Sequence, residues 1–232
     1  MNLVIFDIDG TLLRSVELDD TCFVRAFADV LGIDGLSADW ARYEHVTDSG
    51  LAREIVRRHR GRDPTDEEME LLAQRSCQLL RRATARSPGA IRAVAGAGRL
   101  IEWLGTGAEW RTAIASGSWL ATARIKLEAA GLALDDLPAA FADDSPDRSE
   151  ILRAAIVRAS RCYAAAGFGK VVYVGDGAWD VEAARRLGIA FVGMAGRGGA
   201  GPLVAAGAAT VLSDFLQPDA VLAALASARV PP

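Results

Sequence analysis

The stretch LVIFDIDGT, residues 3–11, opens the chain with a short apolar run, two carboxylates and a turn. A continuous apolar run of this kind is typical of a strand that is buried on both faces, as in a parallel sheet. The pair Asp9-Gly10 favours a turn directly after it. The stretch therefore predicts a buried parallel strand with Asp7 and Asp9 at its carboxyl end.

Further short apolar runs predict more strands of the same kind. They lie at residues 111–115, 171–174, 190–192 and, more weakly, 209–212. Amphipathic helical patterns separate them, at residues 119–130, 150–165 and 181–187. Because strand and helix alternate, we expect an α/β fold with a doubly wound parallel sheet.

The segment from residue 16 to residue 87 has a different pattern. It contains no convincing strand, and helical periodicity dominates. Thr65 and Glu68 have the spacing of a capping box, which predicts a helix from there to residue 83, and Ser87-Pro88-Gly89 then interrupts the chain. We therefore expect a core of residues 1–15 and 88–232 with a smaller all-helical domain, residues 16–87, inserted after the first strand.

Polar side chains follow three of the predicted strands. Asp7 and Asp9 follow the first, residues 116–118 (Ser-Gly-Ser) follow the second, and residues 175–180 (GDGAWD) follow the third. In open parallel sheets, ligands bind beyond the carboxyl ends of the strands. Each segment alone fits an ordinary turn or helix N-cap. Together, however, four carboxylates at one sheet edge would repel one another without a cation, and carboxylate oxygens with phosphate suit Mg²⁺.

These motifs, in this order, resemble those of the haloacid dehalogenase-like hydrolase superfamily. The likeness combines D-x-D-G-T at residues 7–11, Ser116, and G-D-x-x-x-D at residues 175–180, and this combination is strongly specific. It covers essentially the whole chain, because the helical insertion corresponds to the cap domain of that superfamily. The resemblance implies a Rossmann-like catalytic core and a phosphatase similar to phosphoglycolate phosphatases.

The resemblance assigns catalytic roles to the first two carboxylates. Asp7 would be the nucleophile that forms an aspartyl-phosphate. Asp9 would protonate the leaving oxygen and then activate the hydrolytic water. Both would also contact the metal, Asp9 through its backbone carbonyl. Dehalogenases lack the second carboxylate and phosphonate-cleaving relatives usually lack it, so Asp9 favours phosphoryl transfer.

The later motifs supply metal and phosphate contacts by the same resemblance. Asp176 would complete the protein ligands of Mg²⁺. Asp180, four positions later, would lie at the metal and orient a metal-bound water or the Asp176 side chain. Ser116 and the backbone amide of Gly117 would hold the transferring phosphoryl oxygens.

The lysine that the family most often places before a proline has no counterpart here, because the chain contains no Lys-Pro pair. Arg148 is the candidate for its role, since it precedes a predicted helix at the right place in the motif order and can bind phosphate bidentately. Lys126, within a helix, and Lys170, directly before a strand, are weaker alternatives. In the cap, Thr47 and Asp48 are candidate substrate contacts, although an ordinary helix start explains this segment equally well.

Composition limits the partners and the compartment. A net charge of −4 gives no sign of a nucleic-acid partner. No apolar segment approaches the ~20 residues of a membrane helix, and the N-terminus lacks a signal-peptide pattern. Cys22, Cys77 and Cys162 lie far apart and predict buried, reduced thiols. Trp103 and Trp110 fit core positions. We expect a cytoplasmic protein and leave its oligomeric state open.

The sequence thus predicts a Mg²⁺-dependent phosphatase that acts on a small phosphorylated metabolite, such as a phosphorylated acid or sugar. Phosphoglycolate is one example from related enzymes. Two alternatives stay open: a phosphosugar mutase with the same core motifs, and a non-catalytic protein that binds a phosphorylated ligand. The nucleophile Asp7 beside the acid Asp9 argues against a pure binder. The G-x-G-x-x-G match at residues 196–201 predicts only a loop, because too little chain follows it for a dinucleotide site.

Overall fold

The computed structural model describes residues 1–107, 109–196 and 198–232. Its strands are, in chain order, β1 (Asn2–Phe6), β2 (Leu13–Arg14), β3 (Arg92–Ala93), β4 (Trp110–Ala115), β5 (Ala139–Ala140), β6 (Val171–Gly175), β7 (Ala190–Met194) and β8 (Val211–Leu212). Six of them form one parallel sheet in the order β5-β4-β1-β6-β7-β8. The predicted doubly wound α/β fold is confirmed.

The helices lie between these strands. They are, in chain order, α1 (Val16–Leu31), α2 (Asp48–Arg60), α3 (Asp66–Arg86), α4 (Ala97–Thr106), α5 (Leu120–Ala129), α6 (Arg148–Cys162), α7 (Ala178–Leu187), α8 (Gly201–Ala206) and α9 (Pro218–Ser227). Helix α6 begins two residues before the predicted start, because the Asp147 side chain accepts a hydrogen bond from the Ser149 amide and so caps it. Arg148 is therefore the first residue of α6 and does not precede it.

Strand β1 occupies the middle of the sheet, where it is buried on both faces. Phe6 aligns with Ile114 of β4 on one side and with Val174 of β6 on the other. Side chains of β1 alternate between two apolar layers, with Phe6 packing in one and Ile5 in the other. The carboxyl ends of β4, β1 and β6 consequently lie side by side, and the motif residues that follow these strands meet at one edge.

Residues 16–86 form α1, α2, α3 and a short 3₁₀ turn, with no strand within this fully described segment. The antiparallel pair β2–β3 brings the two ends of the segment together. The predicted capping box is confirmed: Glu68 N donates to Thr65 Oγ1 at 3.1 Å, and Thr65 N donates back to Glu68 Oε2 at 2.8 Å. The division into a core and a cap domain remains a prediction, and we use the word cap below for residues 16–87.

An aromatic cluster joins the cap to the sheet domain. Phe23, Phe27 and Trp40 pack with Ile55 in the cap, and Trp119, which lies just beyond the end of β4, packs into the same cluster. The indole of Trp119 also donates to the Ser49 hydroxyl at 3.0 Å. The cap is therefore closed onto the carboxyl edge of the sheet.

Two predictions about single residues are wrong. Trp103 is 43% exposed, because it lies off the stripe by which α4 packs on the core. Cys162 is an exposed free thiol, since it is the last residue of α6 and lies beyond the buried part of that helix, whereas Cys22 and Cys77 are buried as predicted.

Among the described residues, no helix is long and apolar enough to cross a membrane.

Candidate active site

The Asp7 carboxyl group lies directly beyond β1, in the middle of the sheet edge. Its amide donates to Val174 O at 3.0 Å, which extends the ladder by one step, and the residue is only 4% exposed. The chain then turns at Gly10, whose φ of 81° is unfavourable for other residues. A Cβ on Gly10 would lie 1.8 Å from Asp176 Oδ2. Glycine at this turn therefore lets the loops after β1 and β6 approach each other.

A group of three carboxylates that could hold a metal ion lies at this edge. One oxygen from each of Asp7, Asp176 and Asp180 lies within 4.8 Å of the others. Both Asp180 oxygens already accept hydrogen bonds, Oδ1 from the Tyr173 hydroxyl at 2.8 Å and Oδ2 from the Gly177 amide at 2.9 Å. Asp180 thus holds the loop after β6 in place, and Asp176 is the most accessible of the three. Hard oxygen donors of this kind fit a divalent cation.

The electrostatics of this group also fit a cation. Burial and the charge of Asp180 raise the pKa of Asp7 well above its ordinary value. The same two causes raise the pKa of Asp176 to about 8. Carboxylates this close disfavour one another's ionised forms, and a bound cation removes that penalty.

The Asp9 side chain is held by hydrogen bonds from residues outside this group. Its Oδ1 accepts from Ser15 Oγ at 2.5 Å, and its Oδ2 accepts from Ser118 Oγ at 2.8 Å and from Lys126 Nζ at 2.7 Å. Burial opposes ionisation of Asp9, but the charge of Lys126 and these hydrogen bonds lower its pKa below the ordinary value. Asp9 is therefore held as a carboxylate with both oxygens occupied.

Lys126 takes part in the site, although the sequence made it a weaker candidate than Arg148. It is fully buried, and its Nζ donates to Asp9, to Asp19 Oδ2 at 2.6 Å and to Ser118 Oγ at 2.7 Å. Asp19 and Ser118 were not predicted to take part at all. Lys126 follows the buried residues Thr122 and Ala123 at helical spacing, so a charge on the apolar face of α5 was the signal that could have identified it.

Arg148 reaches Asp7 from the start of α6. Its Nη1 lies 3.0 Å from Asp180 Oδ1 and 3.4 Å from Asp7 Oδ1, and its Nη2 donates to Val46 O at 2.8 Å. Its Nε is buried and has no hydrogen-bond partner among the described residues. A Cβ on Gly117 would lie 2.2 Å from Nη2, so glycine there leaves room for the guanidinium. The structure brings Arg148, and not Lys126 or Lys170, beside Asp7.

The Ser116-Gly117-Ser118 turn completes the site on the β4 side. Ser116 is buried, and its Oγ accepts from Ser118 N at 3.2 Å, so its hydroxyl proton is not used in that bond. Gly117 O accepts from the Asp48 amide at 2.7 Å. The turn therefore connects the carboxyl edge of the sheet, where Asp7 lies, to the cap.

Thr47 and Asp48, the predicted substrate contacts of the cap, lie at the site, but their side chains already have hydrogen-bond partners. Thr47 is the N-cap of α2, accepting from Gly50 N at 3.0 Å, and its hydroxyl donates to Pro146 O at 2.7 Å. Asp48 Oδ2 accepts from Trp119 N at 2.8 Å, and burial together with the charge of Asp19 raises the pKa of Asp48 to about 8. Both side chains fasten the closed cap, and their contact with substrate remains a prediction.

A partly open cavity of about 130 Å³ lies between the cap and the sheet edge. Residues of the core and of the cap share its walls. The core contributes Asp7, Asp9, Ser116, Gly117, Ser118, Arg148, Asp176 and Trp179, and the cap contributes Val16, Asp19, Asp20, Trp40, Val46, Thr47, Asp48 and Leu51. We call this cavity the active-site chamber.

Comparison with known proteins places this arrangement in a family. The sequence model of the haloacid dehalogenase-like hydrolases matches residues 1–188. A hydrolase from Pseudomonas syringae is 29% identical, with a TM-score of 0.75, over 98% of this chain and 100% of that one. A comparison with curated proteins returned no match.

Two further solved structures share the fold at lower identity. A putative beta-phosphoglucomutase from Bacteroides vulgatus is 20% identical, with a TM-score of 0.69, over 98% of this chain and 89% of that one. CbbY from Rhodobacter sphaeroides, solved in complex with xylulose-(1,5)bisphosphate, is 23% identical, with a TM-score of 0.68, over 94% of this chain and 96% of that one. With the family match over most of its length, this chain is an enzyme that belongs to the haloacid dehalogenase-like hydrolases.

Proposed function

We propose that this hydrolase is a Mg²⁺-dependent phosphatase that cleaves a small phosphomonoester through an aspartyl-phosphate on Asp7. The observation that carries the proposal is that Asp7 lies beside both the Arg148 guanidinium, 3.4 Å away, and the carboxylates Asp176 and Asp180. A nucleophile in this position has a candidate cation site and an anion-binding donor within reach. That pairing suits transfer of a phosphoryl group.

In the first step, an Asp7 oxygen would attack phosphorus and the ester oxygen would leave. The buried Nε of Arg148, which has no partner among the described residues, is available to a phosphoryl oxygen, and the Ser116 hydroxyl can donate to another. Both donors are fixed by packing before the substrate arrives, which is how an enzyme stabilises developing charge without reorganisation.

In the second step, water would attack the phosphorus of the aspartyl-phosphate, releasing inorganic phosphate and restoring Asp7. Asp9, held ionised by Lys126 and Ser118, suits acceptance of the proton from that water. To protonate a leaving alcohol in the first step, Asp9 must first gain a proton and lengthen its contacts with Lys126. Lys126 therefore favours the base role of Asp9 in the closed state.

Asp7 and Asp176 are the residues that would hold Mg²⁺, with Asp180 supporting the Asp176 loop. When bound, the ion would neutralise these carboxylates and the phosphoryl oxygens. The backbone carbonyl of Asp9 stays a predicted ligand.

Transfer to water fits this chamber better than transfer to a sugar phosphate. A mutase must hold a second phosphate while the first is transferred, and a cation on the cap side would normally meet it. No lysine or arginine of the cap lines the chamber, although residues 16–87 are described throughout. We therefore favour the phosphatase over the mutase.

The test is phosphate release from small phosphomonoesters with and without Mg²⁺, using the native chain, Asp7→Asn and a control, Asp136→Asn. Asp136 is exposed and precedes β5 at the opposite edge of the sheet. We expect release that requires Mg²⁺, survives in Asp136→Asn and falls at least about 10³-fold in Asp7→Asn, which loses the nucleophile. Unchanged release in Asp7→Asn would refute the mechanism.

A further inference from the structure

The charge on the walls of the active-site chamber limits the kind of alcohol that the substrate can carry. One guanidinium, that of Arg148, lines the chamber. Against it stand six carboxyl groups, those of Asp7, Asp9, Asp19, Asp20, Asp48 and Asp176. A bound divalent cation would be shared by Asp7, Asp176 and the phosphoryl group. The carboxyl groups of the cap wall, Asp19, Asp20 and Asp48, then act on the remainder of the substrate.

The two cations near the chamber are already committed to carboxylates. Arg148 lies against Asp180 and Asp7 at 3.0 and 3.4 Å. Lys126 lies behind the wall, fully buried, with Asp9 and Asp19 as its ionic partners. Neither cation is left to neutralise a second anionic group on a substrate. The phosphoryl group itself takes up the remaining donor capacity of Arg148.

The part of the chamber that faces the leaving group belongs to the cap, and its charged residues are acidic. Asp19 and Asp20 are consecutive residues of α1, and Asp48 begins α2. Asp20 Oδ1 accepts from the Trp40 indole at 2.7 Å, which keeps that carboxylate and that ring on the same wall. The arginines of the cap lie elsewhere on its surface, and none lines the chamber within the described chain.

Aromatic and aliphatic side chains make up the rest of this wall. Trp40, Val46 and Leu51 line the chamber from the cap, and Trp179 lines it from the loop after β6. An indole face attracts an ammonium group and offers nothing to a carboxylate. Acidic residues beside indoles are therefore complementary to a small cation with a short carbon chain.

We infer that the substrate is a phosphomonoester of a short amino alcohol, with its ammonium group held on the cap side by Asp20 and the indole of Trp40. This inference rests on the phosphatase proposed above and specifies its substrate class. A volume of about 130 Å³, on the order of ten water-sized atoms, suits a phosphoryl group with an alcohol of two or three carbons. The same walls exclude phosphorylated acids, phosphoglycolate among them, and bisphosphates.

Three esters of equal length separate the charge of the leaving group from its size. They are phosphoethanolamine, 2-hydroxyethyl phosphate and phosphoglycolate, which carry an ammonium, a hydroxyl and a carboxylate. With Mg²⁺ present, we expect kcat/KM to fall in that order, by on the order of tenfold at each step, as for one unit charge in a partly solvated pocket. Any other order overturns the inference.

A charge-neutral variant tests the assigned wall. Asp20→Asn keeps a carbonyl oxygen for the Trp40 indole and removes the negative charge. We expect the ratio of kcat/KM for phosphoethanolamine to that for phosphoglycolate to fall on the order of tenfold in Asp20→Asn. The ratio should be unchanged in Asp136→Asn, which removes an exposed charge outside the chamber. A ratio that Asp20→Asn leaves unchanged would overturn the assignment.

The failure of this inference can be told apart from failure of the proposed function. Acetyl phosphate has a good leaving group of two carbons and carries no ammonium, so it reports phosphatase chemistry alone. Release from it without release from phosphoethanolamine refutes the substrate class and leaves the phosphatase standing. No release from any of these compounds, acetyl phosphate included, refutes the phosphatase and with it the inference.

Discussion

Replacing Lys126 with methionine removes one buried charge from a network that contains two carboxylates. The Nζ of Lys126 makes its three hydrogen bonds at 2.6 to 2.7 Å, to Asp9, Asp19 and Ser118, and the side chain is 0% exposed. Methionine has a similar length and fills the same space, so little packing is lost. What changes is that two buried carboxylates lose their counter-ion.

Breaking a buried ion pair from one side costs about 3–5 kcal/mol, because the remaining charge stays buried without compensation. Burial also raises the pKa of Asp19 to about 6 even with Lys126 present, so without the lysine this carboxyl should gain a proton at neutral pH. Such protonation reduces the penalty, and we expect a loss near the lower figure, about 3 kcal/mol. That is a large part of the 5–15 kcal/mol by which a typical domain is stable.

Urea unfolding at pH 7 measures this loss as a lower midpoint, by about 1–1.5 M for a slope of about 2–3 kcal/mol per M. Lys170→Met is the matched control, since Lys170 is partly exposed and its Nζ donates to Ala226 O at 2.5 Å. That variant should cost under about 1 kcal/mol. The double variant Lys126→Met/Asp19→Asn should be more stable than Lys126→Met alone, because it neutralises one stranded carboxylate. A loss below about 1 kcal/mol in Lys126→Met would show that the network is not held by this charge.

Three further variants probe other contacts. Gly117→Ala should lower phosphate release at least about 10²-fold, because its Cβ would lie 2.2 Å from Arg148 Nη2, whereas Gly105→Ala, with nothing within 4 Å of its Cβ, should keep native activity. Asp48→Asn should flatten the pH dependence of unfolding free energy: the folded pKa of Asp48 is raised from 3.8 to about 8, so its contribution is complete below pH 4 and is lost as pH rises toward 8. The free energy of unfolding, measured in urea at pH 5 and at pH 8, should therefore fall more between these two pH values in the native chain than in Asp48→Asn. Thr65→Ala should cost about 1 kcal/mol in urea unfolding through loss of the capping box, and a cost near zero would contradict it.

The parts of the site that sequence could predict are those whose spacing is local. Asp7 and Asp9 follow one strand directly, and Asp176 and Asp180 are separated by one helical turn, so each motif is readable without a fold. The parallel sheet then places their strands as neighbours by a general rule. For the same reason the strands were identified more reliably than their ends, which depend on caps such as Asp147 at α6.

The Lys126 network could not be predicted in this way, because its partners are far apart in the chain. Asp9, Asp19 and Lys126 are separated by up to 117 residues, and only the fold, in which α3 packs against both α1 and α5, brings them together. A lysine within a helix is usually a surface residue, and the apolar face of α5 could mark Lys126 as buried but could not identify its partners. The prediction that Trp103 is buried was wrong for the opposite reason. An apolar residue in an amphipathic helix was assigned to the core, although it lies outside the packed stripe.

Asp19 and Asp20 illustrate why the reaction type and the substrate are encoded differently. They are consecutive residues of α1, yet Asp19 contacts Lys126 behind the chamber wall and Asp20 contacts the Trp40 indole on it. The first shares Lys126 with Asp9, which belongs to the motifs that define the reaction, and the second lies on the wall that we assign to the leaving group. A motif comparison detects the reaction because those residues stand at fixed distances along the chain. It gives no information about the leaving group, since α1, the Trp40 turn and α2 enclose that side only after the cap has packed onto the sheet. The sequence therefore supported a phosphorylated acid as an example, whereas the charge of the assembled chamber argues for an amine.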